Sequence, residues 1–330
     1  MQRRSGATLI EVFVAMFVTA IGLLALLALF PVGAVSMARA IQNNRASQAA
    51  ANAAAIARLH NLTQDASLTG PTNYFASPPG LPAIRGTGLS YPVYVDSVGT
   101  SITANWLGAC PIIPTAPVAS APGIPRVQAS FAITSPNTIR WLGLLDDISF
   151  QQDGMPAAPG GFVERDNRYS WCYLLQRPNA SFAGQVTMTV VVYSGRSWVV
   201  QGEGCYNVDF QKGSTTVLVP WNPANGQAKP EIRPGRWILD ATLLAFPTTT
   251  ITSPSADPHG DFYRVVSVTE GVAYTNPVTR TIYPAVLLEL QTPVLKSSFV
   301  PLSGTGTPIP PGPQQGVLAV MDNVIEVFQK

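Results

Sequence analysis

The sequence has few of the residues on which most enzymes and nucleic-acid-binding proteins depend. Only 12% of its 330 residues are charged, and the formal net charge of +2 does not indicate nucleic-acid binding. There are two histidines, His60 and His259, and three cysteines, with no C-x-x-C spacing typical of a zinc or redox site. Serine-hydrolase, zinc-protease and P-loop motifs are missing. The sequence therefore predicts no catalytic centre, no metal and no cofactor.

One long stretch lacks charge altogether and dominates the beginning of the chain. From Val12 to Ala38 no residue is charged, and small and large apolar residues prevail. About 20 such residues are enough to cross a bilayer as a helix. Glu11 lies at the amino-terminal edge of this run, where an ionisable side chain is costly and indicates a function. Because Arg3 and Arg4 precede the span without an acid, the positive-inside rule predicts a cytoplasmic amino terminus and an exported remainder.

The first eleven residues form an ordered pattern. A basic leader, Met1 to Gly6, is followed by Ala7-Thr8-Leu9-Ile10-Glu11 and then by the apolar run. This pattern resembles the type III signal of type IV prepilins and type II secretion pseudopilins, although Ala7 stands where that family most often has Phe. The resemblance implies that a prepilin peptidase cuts after Gly6 and methylates Ala7. It also implies an assembly role for Glu11, paired with the terminal amine of its own or a neighbouring subunit.

The resemblance also implies a fold and a function for the whole chain. The fold would be α+β, with a long transmembrane and then amphipathic helix packed on a predominantly antiparallel β head. The protein would be a non-enzymatic structural subunit, a minor pilin or pseudopilin of a type IV pilus or type II secretion-like filament. Its partners would be the prepilin peptidase, other pilin or pseudopilin subunits and the lipids of the cytoplasmic membrane. The head would be exported, in the periplasm or within a filament on the cell surface.

Two other interpretations of the amino terminus stay open. A secretory signal peptide is one, with a weak A-x-A site at Ala38-Arg39-Ala40, although the apolar run is long for it. The other is a signal anchor for an exported β-domain binding protein that joins no filament. Tyr169, Trp171 and Tyr173 alternate along one segment and could line a sugar or peptide site there. Aromatic residues at this spacing more often fill a core.

Changes in composition along the chain predict its domains. The head is large for a pilin, so extra strands or a second β domain are expected, with a break near 111–125 or near 220–234. Pro31 and Gly33 should kink or open the helix. The predicted divisions are a leader at 1–6, a helix at 7–62 that leaves the membrane at about 30–38, a loop-rich region at 63–125 and a β-rich head at 126–330.

Alternating apolar residues predict several strands in the head. The clearest lie at 168–177 and 185–193, where the period of two matches one buried sheet face. Residues 317–328 alternate well enough for a closing strand, while a helix stays open as an alternative.

The cysteines allow one disulfide in an oxidising compartment. Cys172 and Cys205 are the first choice because both lie in segments predicted to be ordered, whereas Cys110 opens a proline-rich stretch. Three unpaired, buried thiols are an equally good alternative.

The remaining polar groups give weaker indications. Asp146, Asp147 and Asp153 could offer oxygens to calcium, but their spacing matches no EF-hand and a solvated acidic turn fits better. His60 falls on the predicted helix as a packing residue, and His259 falls in a predicted turn.

Overall fold

The computed structural model contains one long helix followed by β-sheets. The chain forms two compact units, Met1–Ser47 and Gln48–Lys330. The structure describes residues 8–70, 73–76, 90–96, 124–127, 169–178, 185–196, 204–246, 255–276, 280–298, 316–321 and 323–329.

Helix α1 spans Leu9–Leu59, 51 residues, or about 77 Å at 1.5 Å per residue. The helix is not interrupted at Pro31 and Gly33, so the local opening is not seen, while the alternative of a kink stays a prediction. Proline removes one backbone hydrogen bond, and the Ala- and Leu-rich turns around it are strong helix formers that continue the helix. The helix ends before residue 62, since Asn61 adopts a left-handed conformation, with φ 48°, ahead of a 3₁₀ turn at Leu62–Gln64.

A short helix and thirteen strands follow α1 in the part of the chain that the structure describes. The elements are α2 (Ala66–Thr69), β1 (Val93–Val95), β2 (Arg126–Val127), β3 (Tyr169–Gln176), β4 (Thr187–Ser194), β5 (Gly204–Val208), β6 (Thr216–Pro220), β7 (Trp237–Asp240), β8 (Leu243–Phe246), β9 (Ser255–Pro258), β10 (Asp261–Thr275), β11 (Ile282–Leu290), β12 (Gly316–Val320) and β13 (Val324–Gln329).

These strands form two main sheets. The first has the order β13-β4-β3-β1-β2 and is antiparallel except for the β1–β2 pair. The second has the order β5-β12-β7-β10-β11-β6 and is antiparallel throughout. Its edge strands β5 and β6 contact each other, so this sheet curls towards closure. Strands β8 and β9 pair separately. A long apolar helix and mostly antiparallel sheets make the fold class α+β, as the sequence predicts.

The five-stranded sheet has apolar residues on both faces. One face shares a buried cluster with β7 and β12, in which Cys172 and Leu174 meet Leu239. Side chains alternate along a strand, so Tyr173 lies on the other face. There its hydroxyl donates a hydrogen bond of 2.9 Å to the Ala53 carbonyl of α1 and accepts one of 3.1 Å from the Trp171 indole. This part of α1 contributes small buried residues, Ala49, Ala50, Ala53, Ala54 and Ala57.

The six-stranded sheet does not coincide with a domain that begins at the predicted break near 220–234. Strands β6 and β7 lie on either side of the predicted break near 220–234, yet both belong to the six-stranded sheet. The break at 111–125 lies almost wholly outside the described residues. Residues 317–328 form two strands rather than one, because Asn323, with φ 65°, turns the chain between β12 and β13. These two strands join different sheets, so the carboxyl-terminal segment ties the layers together.

The Tyr173 hydroxyl is a testable part of this packing. Tyr173→Phe should lower the free energy of unfolding by about 1–3 kcal/mol, because the buried Trp171 indole loses its acceptor. The measurement is denaturant unfolding of the full chain in detergent. Tyr74→Phe, at a half-buried tyrosine outside this hydrogen-bond chain, is the control and should change stability less. Equal stability of the Tyr173→Phe variant and the wild type would contradict the assignment.

Candidate functional site

The amino-terminal end of α1 joins Thr8 and Glu11 in a capping box. The Thr8 backbone N–H donates to Glu11 Oε2 at 2.8 Å, and the Glu11 backbone N–H lies 3.4 Å from Thr8 Oγ1. The Glu11 N–H also donates to the Thr8 carbonyl at 3.0 Å, so the group that the Glu11 carboxylate newly occupies is the Thr8 N–H at the start of the helix. The T-x-x-E spacing ahead of an apolar run is its sequence signal. The capping role is therefore additional to the assembly role expected for Glu11. Gly6 and Ala7 lie outside the described residues, so their processing stays a prediction.

The surface of α1 beyond Glu11 is apolar and exposed. Within the described residues α1 is the one helix long and apolar enough to cross a membrane. Its large side chains from Leu9 to Met37 are each at least half exposed. A shallow groove on this surface runs from Glu11 to Leu27 past the small residues Ala15, Thr19 and Ala20. Small side chains permit close approach between helices in a bilayer. A surface of this size requires lipid or protein to cover it.

A buried charge cluster lies where β1, β2 and the end of β4 meet. Arg196 forms a bidentate ion pair with Asp96: Nη1 donates to Oδ1 at 2.9 Å and Nη2 donates to Oδ2 at 2.6 Å. Arg126 Nε lies 3.5 Å from the same carboxylate. The Asp96 side chain is 0% exposed and that of Arg196 8% exposed, so these charges are held in low dielectric. Within the described residues both guanidiniums contact the Asp96 carboxylate, so the charge of this carboxylate contributes to the local balance.

The Cys172 thiol contacts the same cluster, and this surrounding determines its hydrogen bonding and protonation. Its Sγ accepts a hydrogen bond from Arg196 Nη1 at 3.1 Å, and burial raises the pKa of the thiol well above its ordinary value. Cys172 and Cys205 are not joined to each other, so the predicted disulfide between them is not formed. The sulfur of Cys172 is instead engaged by the guanidinium, and a thiol that stays protonated is a poor nucleophile. Cys110 lies outside the described residues.

Two tyrosines complete this buried network. The hydroxyls of Tyr94 and Tyr193 hydrogen-bond to each other, and Tyr193 also donates to Met321 Sδ at 3.4 Å. Burial raises the pKa of Tyr94 well above its ordinary value. The network links β1, β4 and the residue after β12. These hydrogen bonds therefore help to hold strands of both sheets in register.

The aromatic stripe on β3 is part of the core. Trp171 is 1% exposed and Tyr173 is 0% exposed, while Tyr169 is half-buried. The preference for a core role is confirmed for the two buried residues. They cannot line an open sugar or peptide site.

Comparisons with models of protein families, with characterised proteins and with solved structures found no match. The roles of the residues described above are therefore argued from their geometry and from the sequence alone.

The two histidines differ in burial. His60 is half-buried near the end of α1. His259 lies in the connection between β9 and β10, where its ring is 0% exposed and Nδ1 lies 2.8 Å from Asp240 Oδ2. The sequence carried no signal for this pair, because 19 residues separate its members along the chain. Within the described residues no three His, Cys, Asp or Glu side chains come together as a metal site. The acidic turn at Asp146, Asp147 and Asp153 lies outside those residues.

The charge cluster yields a stability prediction. Asp96→Asn should cost about 3–5 kcal/mol of unfolding free energy, because it removes the charge of a buried carboxylate that contacts two buried guanidiniums. Chemical denaturation of the full chain in detergent measures this. Glu270→Gln, which breaks the exposed 2.7 Å pair with Lys229, is the matched control and should cost at most about 1 kcal/mol. A similar loss in both variants would show that burial of the cluster does not govern its contribution.

Proposed function

We propose that the protein is a minor pilin or pseudopilin, a structural subunit of a type IV pilus or type II secretion-like filament. One observation carries the proposal. Helix α1 begins at a capped Thr8–Glu11 pair and then exposes apolar side chains as far as Met37, with Glu11 the one charge among them. This surface suits storage in a bilayer followed by burial among like helices. The basic leader ending at Gly6 supplies the processing signal.

Glu11 suits a role in subunit register. Its Oε2 is bonded to the Thr8 N–H, and an ionised carboxylate accepts several hydrogen bonds. Cleavage after Gly6 would create an α-amino cation at Ala7. In low dielectric an unpaired charge is costly, so the carboxylate and a terminal amine, from the same or an adjacent subunit, attract each other strongly. Neighbouring helices would then be fixed along their axes by this charge pair.

The remaining features concern topology and copy number. Arg3 and Arg4 favour a cytoplasmic amino terminus, which places the β-rich unit outside the cytoplasm. A large head would crowd a filament in which it is repeated densely. This favours a subunit present in few copies, with the prepilin peptidase, other subunits and membrane lipids as partners. The alternative, an anchored binding protein, loses its support from the aromatic stripe, since Trp171 and Tyr173 are buried.

Mass spectrometry of the mature amino terminus tests the processing step. In cells with a prepilin peptidase the chain should begin at Ala7 and carry one added methyl group. In cells without that peptidase it should keep Met1 to Gly6. An intact terminus in both strains, or a cut near Ala40, would overturn the proposal and favour an anchored or secreted protein.

Two substitutions at Glu11 separate capping from assembly. Glu11→Gln keeps a side-chain oxygen that can accept the Thr8 N–H but removes the charge, whereas Glu11→Ala removes both. Both variants should insert into the membrane normally and both should be lost from filaments, measured by cell fractionation and immunoblotting of sheared filaments. Normal incorporation of Glu11→Gln would contradict the charge pair. Failure of Glu11→Ala alone would assign the residue to capping.

A further inference from the structure

Lys296 and Asp261 form a partly buried ion pair beside the six-stranded sheet. Asp261 is the first residue of β10, and Lys296 lies shortly after the end of β11. Lys296 Nζ lies 3.4 Å from Asp261 Oδ2, and the two side chains are only 25% and 23% exposed. Asp261 Oδ2 is buried, and none of the described residues donates a hydrogen bond to it. An amine and a carboxyl group are therefore close together and largely out of water, without the hydrogen bond that such a buried oxygen normally has.

The backbone is held on both sides of Lys296. The Leu295 N–H donates to the Tyr263 hydroxyl at 2.9 Å, and Ser297 Oγ accepts a backbone N–H of the β5–β6 connection at 2.9 Å. Tyr263 follows Asp261 by two positions on β10, so their side chains lie on the same face of that strand. The β7–β10 pairing fixes Asp261 itself. Groups held in a productive geometry reach effective concentrations of about 10⁵–10⁸ M, which favours condensation between them.

The neighbouring charges favour a neutral product. Asp240 lies directly opposite Asp261 in the β7–β10 register, and its carboxylate already pairs with His259 Nδ1 at 2.8 Å. Two carboxylates directly opposite each other on paired strands repel. A partly buried ion pair also has a desolvation cost that a neutral amide lacks. An amide between Lys296 and Asp261 would replace both charges by one neutral group and leave Asp240 with its histidine.

We propose that Lys296 and Asp261 are joined by an isopeptide bond that the folded chain forms by itself. A proton passes from Lys296 Nζ to the Asp261 carboxylate, which gives a neutral amine and a carboxylic acid. The Nζ lone pair then bonds to the Asp261 Cγ atom. The hydroxyl of the acid takes a second proton from the nitrogen and leaves as water. The ion pair thus supplies every atom of the amide and of the water, with no oxidant or cofactor. This modification is independent of the filament proposal.

The bond would close the β10–β11 hairpin covalently. Because Asp261 begins β10 and Lys296 lies beyond the end of β11, the link encloses both strands. These strands occupy inner positions of the six-stranded sheet, in the order β7-β10-β11-β6. A covalent link across a long loop restricts the unfolded chain, and this stabilises the fold. The link should therefore oppose unfolding of the hairpin.

Intact mass and peptide mapping of the purified full chain in detergent test the proposal. The matched control is Lys296→Arg, which keeps the positive charge but not the nucleophilic amine. After correction for the exchanged residue, the wild type should be lighter than this variant by one water. A digest should contain one branched peptide that joins positions 261 and 296. It should contain none that joins Lys229 and Glu270, which pair at 2.7 Å on the exposed surface. A wild type of full mass, with separate peptides for Lys296 and Asp261, would show an ordinary ion pair only and overturn the proposal.

A second variant and a second source of protein separate the remaining explanations. Asp261→Ala should also have its full mass, and both variants should migrate more slowly than the wild type in denaturing electrophoresis, because their chains contain no closed loop. Loss of water that persists in either variant, as from a cyclised aspartate elsewhere, would refute the assignment to Lys296 and Asp261. Chain made by cell-free translation should carry the same link, since no enzyme is required. A link found only in chain made in cells would overturn its formation by the protein itself.

Discussion

The exposed apolar surface of α1 is the constraint on which the rest of the molecule depends. The large apolar side chains from Leu9 to Met37 are at least half exposed, and a contiguous apolar surface of this extent is unfavourable in water. At about 25 cal/mol for each Å² of apolar surface, covering them provides a large driving force for insertion or assembly. The second unit has two apolar clusters of its own, one between the sheets and one within the curled six-stranded sheet.

Within that unit, buried apolar residues and buried polar pairs stabilise the fold in different ways. The clusters supply non-directional stabilisation, whereas the Asp96–Arg196 and Asp240–His259 pairs are directional and lie where strands end. Each pair joins residues far apart in sequence, and each leaves one partner's charge or polar atom uncompensated if the chain shifts by one residue. The polar pairs thus select one register among several that the apolar residues would accept.

The local features were the predictable ones. The span, the strands β3 and β4 and the burial of Trp171 follow from periodicity within a few residues. The Thr8–Glu11 cap is equally local, since its T-x-x-E spacing is visible in the sequence, although the resemblance implies only an assembly role for Glu11. The Asp240–His259 pair and the division of residues 317–328 between two sheets were not predictable. They depend on which strands meet, and neither charge nor alternation along the chain encodes that. Cys172 shows the same limit, because its sulfur is engaged by Arg196, which lies on a different strand end.

The capping box changes how Glu11 would act in assembly. A bare carboxylate at the edge of a bilayer carries a large desolvation cost, which would oppose insertion. Its bond with the Thr8 N–H, together with the positive end of the helix dipole, lowers that cost while the subunit is stored. A single capping interaction contributes only about 1 kcal/mol, far less than a charge pair in low dielectric. A terminal amine can therefore recruit the carboxylate without dismantling the helix. In the proposed filament the same residue would first cap the stored helix and then pair with a terminal amine, because the capping bond is weak enough to be replaced.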